Sequence, residues 1–279
     1  MSAQRAQSSF KQKPLTLCIM KDNFEIHTLF SGSSGNSLFI RAGDTKILID
    51  AGKSMRTVKT ALSTIGEDLC KIDAVFVTHA HTDHTAGIPV ISRNYTMPIY
   101  LTDQTASQLL EKTSMEHSRF TVHKERDIVE IKDLKIHSFV TPHDCNGSVG
   151  YIIEIPGEYR FGICTDTGCI SKEMVNELCF CDGVIIESNY DEKMLKEGPY
   201  PYYLKQRIAA NTGHLSNTKA AQLCCMLANA GVKKIMLAHL SKENNLPELA
   251  LKKCCNALYE NGFFDIDITV ADRFVPTRF

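Results

Sequence analysis

Short apolar runs parted by glycine-rich turns dominate the first part of the chain, whereas strands and helices alternate in its last third. "FEIHTLF", "SLFIRAG" and "TKILID" are rich in β-branched and aromatic residues and read as successive strands. A helical stretch is expected over 53–65, followed by the strand "AVFVTH". "LKIHSFV", "GSVGYIIEI" and "YRFGICTD" are further strands, the last two joined by the turn "PGE". "DGVIIES" and "KKIMLAHL" then alternate with helices expected over 216–230 and 246–258. Ala220, Leu223, Cys224 and Leu227 fall on one face of the first of these helices, and Gly231 is its stop. Leu246, Ala250 and Cys254 follow at i, i+4 and i+8 in the second. Two β-rich halves with helices outside predict an α/β fold of stacked sheets covered on both faces. With no linker to divide it, residues 21–279 are expected to form one domain. Residues 1–20 are polar and unpatterned and are expected to form a disordered tail.

Composition changes this picture little. The chain has 279 residues, 43% of them hydrophobic and 23% charged, as in an ordinary globular protein with a sizeable core. No apolar run approaches the roughly 18 to 20 residues that cross a bilayer, and the N-terminus lacks the apolar stretch of a secretory signal. A cytoplasmic protein without a membrane partner is expected. A net charge of −1 excludes a global cationic bias and leaves a nucleic-acid partner to local patches. There are 11 cysteines and none forms C-x-x-C. Most sit in apolar stretches such as "AAQLCCMLANA", where a reduced thiol packs as a small hydrophobe.

The candidate chemistry lies in "DAVFVTHAHTDHTAGIP", where an apolar run leads into His79, His81, Asp83 and His84. Desolvating several ionisable groups together is costly unless something compensates them. A divalent metal does so well, since neutral imidazole and carboxylate are its ligands. The spacing lets His79 and His81 reach one ion while Asp83 and His84 turn toward a second. Further ligands are then expected at other strand ends. His143 follows "IHSFV", Asp166 ends "FGICTD" and His239 ends "KIMLAHL".

H-x-H-x-D-H at 79–84, with a later His, Asp and His at strand ends, resembles the metallo-β-lactamase superfamily, from Asn23 onward. That resemblance implies a four-layer αβ/βα sandwich. It implies that His79, His81 and His143 hold one metal, that Asp83, His84 and His239 hold the other, and that Asp166 bridges them. Asp50, closing "ILIDAG", matches the superfamily's buried Asp, which supports the ligand loop from behind. Two divalent ions are implied, with zinc expected and manganese or iron as alternatives.

Because one fold hosts many reactions, the branch must come from other residues. His81 stands where the fold's di-iron oxygen reductases carry Glu, which favours hydrolysis at a hydroxide held between the metals. "TGHLSNTKA" places His214 before a helix and resembles the extra His of the phosphodiesterase branch, which would protonate the leaving oxygen. Ser216 is the better helix cap. Glu187 in "IIESNYD" would orient His214. In "TLFSGSSGNSLFI", Gly32, Ser33, Gly35 and Asn36 form either a plain hairpin loop or a nest of backbone N–H groups for a phosphate. With "GHLSN" and "HLSKENN", this loop resembles the bacterial YycJ/WalJ group, regarded as 5′→3′ DNA exonucleases.

The resemblance has a limit. Between Asp166 and His239 there is no room for a β-CASP insertion, and no long Gly/Pro-rich arm is present. Arg93, Lys193, Lys196, Lys205, Arg207 and Lys242 are the local cations available to a backbone. The function expected is a binuclear phosphodiesterase with DNA ends as substrate and Asp83, His214 and Glu187 as catalytic residues. The alternative is a small-molecule hydrolase acting on a thioester, lactone or cyclic phosphodiester, and a metal-stabilised regulatory protein is the third. His27 and His137 are placed in strands and His117 and His123 in a polar connection, none with a role in the site.

Overall fold

In the computed structural model, residues 24–124 and 126–279 are described. The expected tail over 1–20, with Cys18, lies outside them. The first half runs β1 (Phe24–Phe30), β2 (Ser37–Ala42), β3 (Thr45–Ile49), α1 (Met55–Thr64) and β4 (Ala74–Phe76). Next come α2 (Thr82–Thr85), α3 (Ile88–Asn94), β5 (Ile99–Thr102), α4 (Asp103–Lys112) and β6 (Thr121–His123). The chain then builds the hairpins of β7 (Ile128–Ile131), β8 (Leu134–Val140), β9 (Val149–Ile155) and β10 (Tyr159–Cys164). After α5 (Lys172–Leu178) and β11 (Gly183–Glu187) come three helices, α6 (Glu192–Glu197), α7 (Tyr202–Ala209) and α8 (Asn217–Asn229). The last elements are β12 (Lys234–Ala238), α9 (Pro247–Glu260), β13 (Asp267–Val270) and β14 (Thr277–Arg278).

These strands form two seven-stranded sheets, ordered β14-β1-β2-β3-β4-β5-β6 and β13-β12-β11-β10-β9-β8-β7. The chain's end returns to the first sheet, where β14 pairs antiparallel with β1, His27 opposite Arg278.

Strand alternation creates the layers. In β2 and β3, Leu38, Ile40, Ile47 and Ile49 point between the sheets, where they meet Ile136, Tyr151, Ile153 and Phe161 of the second sheet. Phe39 and Leu48, one residue out of phase, point outward to Val58 and Leu62 of α1 and to Ile91 of α3. On the far side, Ile152, Val184, Ile186 and Leu237 pack against Leu178 of α5, Leu223 and Leu227 of α8, and Cys254 of α9. The result is helices, sheet, sheet, helices, the four layers expected.

The expected helices appear with small end corrections. The first starts at Met55 because Ser54 caps it, its Oγ accepting from Thr57 N at 3.2 Å. Ser216 caps α8 in the same way, accepting from Lys219 N at 3.2 Å. The strand over 74–79 ends at Phe76, because Thr78 and His79 turn into the ligand loop. His123 needs a fuller correction. It lies in β6, buried, with Nε2 3.2 Å from Tyr151 Oη, and not in a polar connection.

Candidate metal centre

Three site residues sit at strand ends with left-handed backbone, Asp50 at φ 62°, Asp166 at φ 56° and His239 at φ 56°. Residues with a Cβ avoid this region, and where they adopt it the surroundings must hold them. Asp50 is held through its carboxylate. Oδ1 accepts from Thr78 N and Oδ2 from Thr78 Oγ1, both at 2.8 Å, and Oδ2 also lies 2.7 Å from His84 Nδ1. His239 N donates to Ser31 Oγ at 2.8 Å, and Asn189 Nδ2 donates to His239 O at 2.8 Å.

The two sheets meet at this point. The loop after β4 carries His79, His81, Asp83 and His84, and α2 closes it tightly, His84 N donating to His81 O at 3.0 Å. From the second sheet, Val149 N donates to Thr78 O at 3.0 Å, which sets the height of the loops after β8, β10, β11 and β12. Those loops, or the strand ends themselves, bring His143, Asp166, Glu187 and His239 to the same place.

Side-chain atoms of His79, His81 and His143 all lie within 4.8 Å of one another, as do those of Asp83, His84 and His239. A third such set, His79, His84 and Asp166, joins the two, and a fourth contains Asp166, Glu187, His214 and His239. The seven expected ligands are therefore gathered in one cluster.

The donor chemistry suits divalent ions. His143 Nδ1 faces Gly213 O at 3.1 Å and His84 Nδ1 faces Asp50, so each ring is oriented from behind and turns Nε2 inward. Buried His79 Nε2 and His239 Nε2 make no hydrogen bond, a costly arrangement for polar atoms out of water, and buried Asp166 Oδ2 has His84 Nε2 beside it at 3.2 Å. Burial, then the neighbouring imidazoles His84 and His143 respectively, hold His79 and His81 below the ordinary imidazole value. Burial opposes charge on His84 too, but Asp166 and Asp50 outweigh it and raise that ring. The protein lines this space with imidazole nitrogens and carboxylates, two of the rings held below their ordinary value and His84 held above it by the acids it faces, a ligand set for a hard or borderline cation.

Glu187 is fully buried and accepts four hydrogen bonds. Oε1 lies 2.8 Å from His214 Nδ1 and 2.7 Å from His239 Nδ1, while Oε2 accepts from Thr167 N at 3.1 Å and Leu215 N at 2.9 Å. Burial alone would raise this carboxyl, yet His214 and His239 outweigh it and hold it down at about 2. Burial likewise lowers His214, and the Glu187 charge and hydrogen bond reverse the effect, leaving the ring above its usual value. With Nδ1 engaged, His214 presents Nε2 to a cleft also lined by Ser33, Asp83, Asp166 and Arg207.

The glycine-rich loop departs from the expected phosphate nest. Gly32 N donates to Asn36 Oδ1 at 2.8 Å, Gly35 N to Gly32 O at 2.9 Å and Asn36 N to Asp83 O at 2.7 Å. All three N–H groups are engaged inside the fold, so none is free for an anion. Asn36 also brings Nδ2 to 3.0 Å from His84 Nε2 and 3.3 Å from Asp83 Oδ2, at the edge of the ligand cluster. Of the four residues, Ser33 lines the cleft.

Sequence reasoning passed over Asp144. Its Oδ1 lies 3.7 Å from His81 Nε2 and 3.5 Å from His143 Nε2, and Oδ2 accepts from Arg207 Nε at 2.6 Å. Its place directly after His143 was the available signal. Thr78, the partner of Asp50, was equally unmarked.

Residues 45–240 match the β-lactamase superfamily domain, and the chain belongs to that superfamily. It has the metallo-β-lactamase fold and is a metal-dependent hydrolase. Exodeoxyribonuclease WalJ of Streptococcus pneumoniae is 35% identical over 264 residues, covering 91% of this chain and 96% of that protein. Exodeoxyribonuclease YycJ of Bacillus anthracis is 31% identical over 262 residues, covering 90% of this chain and 96% of that one. Among solved structures, the metallo-β-lactamase fold protein YhfI of Bacillus subtilis aligns with a TM-score of 0.70 at 19% identity, over 92% of this chain and 100% of that one.

Proposed function

We propose that this chain is a binuclear phosphodiesterase that degrades DNA from its ends in the cytoplasm, with 5′→3′ polarity, through one domain over residues 21–279. The observation that carries the reading is the Glu187–His214 pair, in which a buried carboxylate turns a half-buried imidazole toward the cleft beside the ligand cluster. Likeness to proteins named exodeoxyribonuclease supports it over nearly the whole chain.

In this reading His79, His81 and His143 would hold one ion, Asp83, His84 and His239 the other, and Asp166 would serve both. Zinc is the expected metal for a His-rich set with carboxylates. When bound, two such ions lower the pKa of a water and polarise a phosphoryl oxygen. Asp83, which lies 3.6 Å from both His84 Nε2 and His239 Nε2, orients the attacking water and accepts its proton. His214 Nε2 gives its proton to the leaving oxygen, while Glu187 keeps the ring aimed and favours its charged form. Ser33, at the cleft wall, is placed to donate to a phosphate oxygen.

A second reading, a small-molecule hydrolase for a thioester, lactone or cyclic phosphodiester, is favoured by the apolar Leu204 and Ile208 on the cleft wall. Turnover of bis(p-nitrophenyl) phosphate beside a thioester, with zinc or manganese, separates the two. Diester cleavage should fall about 10²- to 10⁴-fold in His214→Ala with metal content unchanged. Thioester turnover indifferent to His214 would favour the second reading.

A further inference from the structure

Helix α7 is anchored at one end to the site and open along its length. His214 N donates to Ile208 O at 2.9 Å, and Gly213 N to Ala210 O at 2.9 Å, so the helix C-terminus leads directly into the proton donor. A Cβ on Gly213 would stand 2.3 Å from the carbonyl oxygens of Arg207 and Ile208, which shows how closely the two segments fit. Leu204, Arg207 and Ile208, at i, i+3 and i+4, line the cleft. Tyr203 lies four residues before Arg207 and so continues that stripe outward from the rim.

No residue of α7 is buried, and Tyr202 and Tyr203 are 76% and 72% exposed. Both rings stand outside the core, Tyr202 Oη accepting from Gln206 Nε2 at 3.0 Å, and they differ from the other exposed aromatics in lying on the helix that lines the cleft. Their neighbours carry charge. Lys193 and Lys196 lie on α6 and Lys205 and Arg207 on α7, against Glu192, Glu197 and the α6 cap Asp191. A surface with aromatic faces and a local positive excess, continuous with a phosphodiester-cleaving cleft, complements a single polynucleotide strand. Bases stack on the rings while the cations follow the phosphates.

We infer that α7 is a stacking platform for single-stranded DNA, with Tyr203 holding a base of the strand whose scissile phosphate lies at His214. The inference rests on the proposed nuclease reading and adds the grip that the missing insertion and arm leave unassigned. At the rim, a backbone phosphate competes with Asp144 for the Arg207 guanidinium.

The test compares the metal-loaded wild type with Tyr203→Ala and Tyr203→Phe on a single-stranded oligonucleotide, its abasic counterpart and bis(p-nitrophenyl) phosphate. Tyr203→Ala should raise KM for the natural strand about 5- to 100-fold. It should leave KM for the abasic strand and turnover of the small diester unchanged, and Tyr203→Phe should restore the natural value. Equal KM values for wild type and Tyr203→Ala on a natural strand that both cleave would overturn the platform alone. An equal rise on both strands would also overturn stacking. A wild type that cleaves the small diester but neither strand would overturn the nuclease reading and the platform with it.

Discussion

At Glu187, one buried carboxylate serves two imidazoles with different roles. All four of its partners are donors, two ring N–H groups and two backbone N–H groups. Replacing it by Gln therefore sets an amide NH2 against a donor whichever way the amide is turned, at a cost of about 1 to 3 kcal/mol. His239 loses its orientation together with His214. Glu187→Gln should accordingly weaken metal binding about 10- to 100-fold, read by chelator competition, as well as turnover. His214→Ala should lower turnover alone. Unchanged metal affinity in Glu187→Gln would mean that His239 is fixed by Asn189 and Ser31 without it. Glu187 was readable from "IIESNYD" as a partner for His214, but its bond to His239 was not, since nothing in sequence tells that the two rings face the same oxygen. Asp50 was readable through the superfamily resemblance, which expects a buried Asp at the end of "ILIDAG". The clamp it makes on Thr78 depends on its left-handed φ of 62°, which sequence does not display for a residue other than glycine.

At the scale of elements, the loop joining β1 to β2 shows why composition misleads. Glycine suits both an anion nest and a close crossing of backbones, and here the crossing prevails. Gly35 has φ of 153° and would place a Cβ 2.7 Å from Gly52 O, while a Cβ on Gly52 would sit 1.7 Å from Asp83 O. The loops after β1, β3 and β4 thus interlock behind the metal ligands. Gly52→Ala should cost about 1 to 3 kcal/mol in urea unfolding and also weaken metal binding, because Asp83 must move. A variant as stable as wild type would mean that the loop relaxes freely. The short helices α6 and α7 escaped the pattern for a related reason. Few of their residues are buried, so no apolar stripe marks them. By contrast α8, with seven buried residues, was plain.

Across the whole molecule the proposed ligands come from both sheets, four residues after β4 and the others after β8, β10 and β12. This convergence was legible because His79, His143, Asp166 and His239 each close an apolar run, and apolar runs mark strands. It also means that bound ions tie the two halves together. Each bound ion should stabilise the fold by about 2.7 kcal/mol at a free concentration 100 times its Kd, and chelation should lower Tm accordingly. A Tm indifferent to chelator would contradict metal binding at this cluster. Beneath the site, Phe76 stacks on Tyr100 at 4.8 Å and meets Tyr151 edge-on at 5.5 Å, and Tyr151 Oη donates to Val77 O at 2.8 Å. Phe76→Ala should therefore cost about 3 to 5 kcal/mol in urea unfolding. A loss under about 1 kcal/mol would show that the sheets repack around the gap.

The central claim is that this site cleaves DNA from an end with His214 as proton donor, and digestion of end-labelled DNA by the metal-loaded protein tests it most directly. Wild type should release mononucleotides from the 5′ end, and His214→Ala should do so at least about 10²-fold more slowly with both metals bound. DNA left intact by a metal-loaded enzyme that turns over a thioester equally well with and without His214 would contradict it.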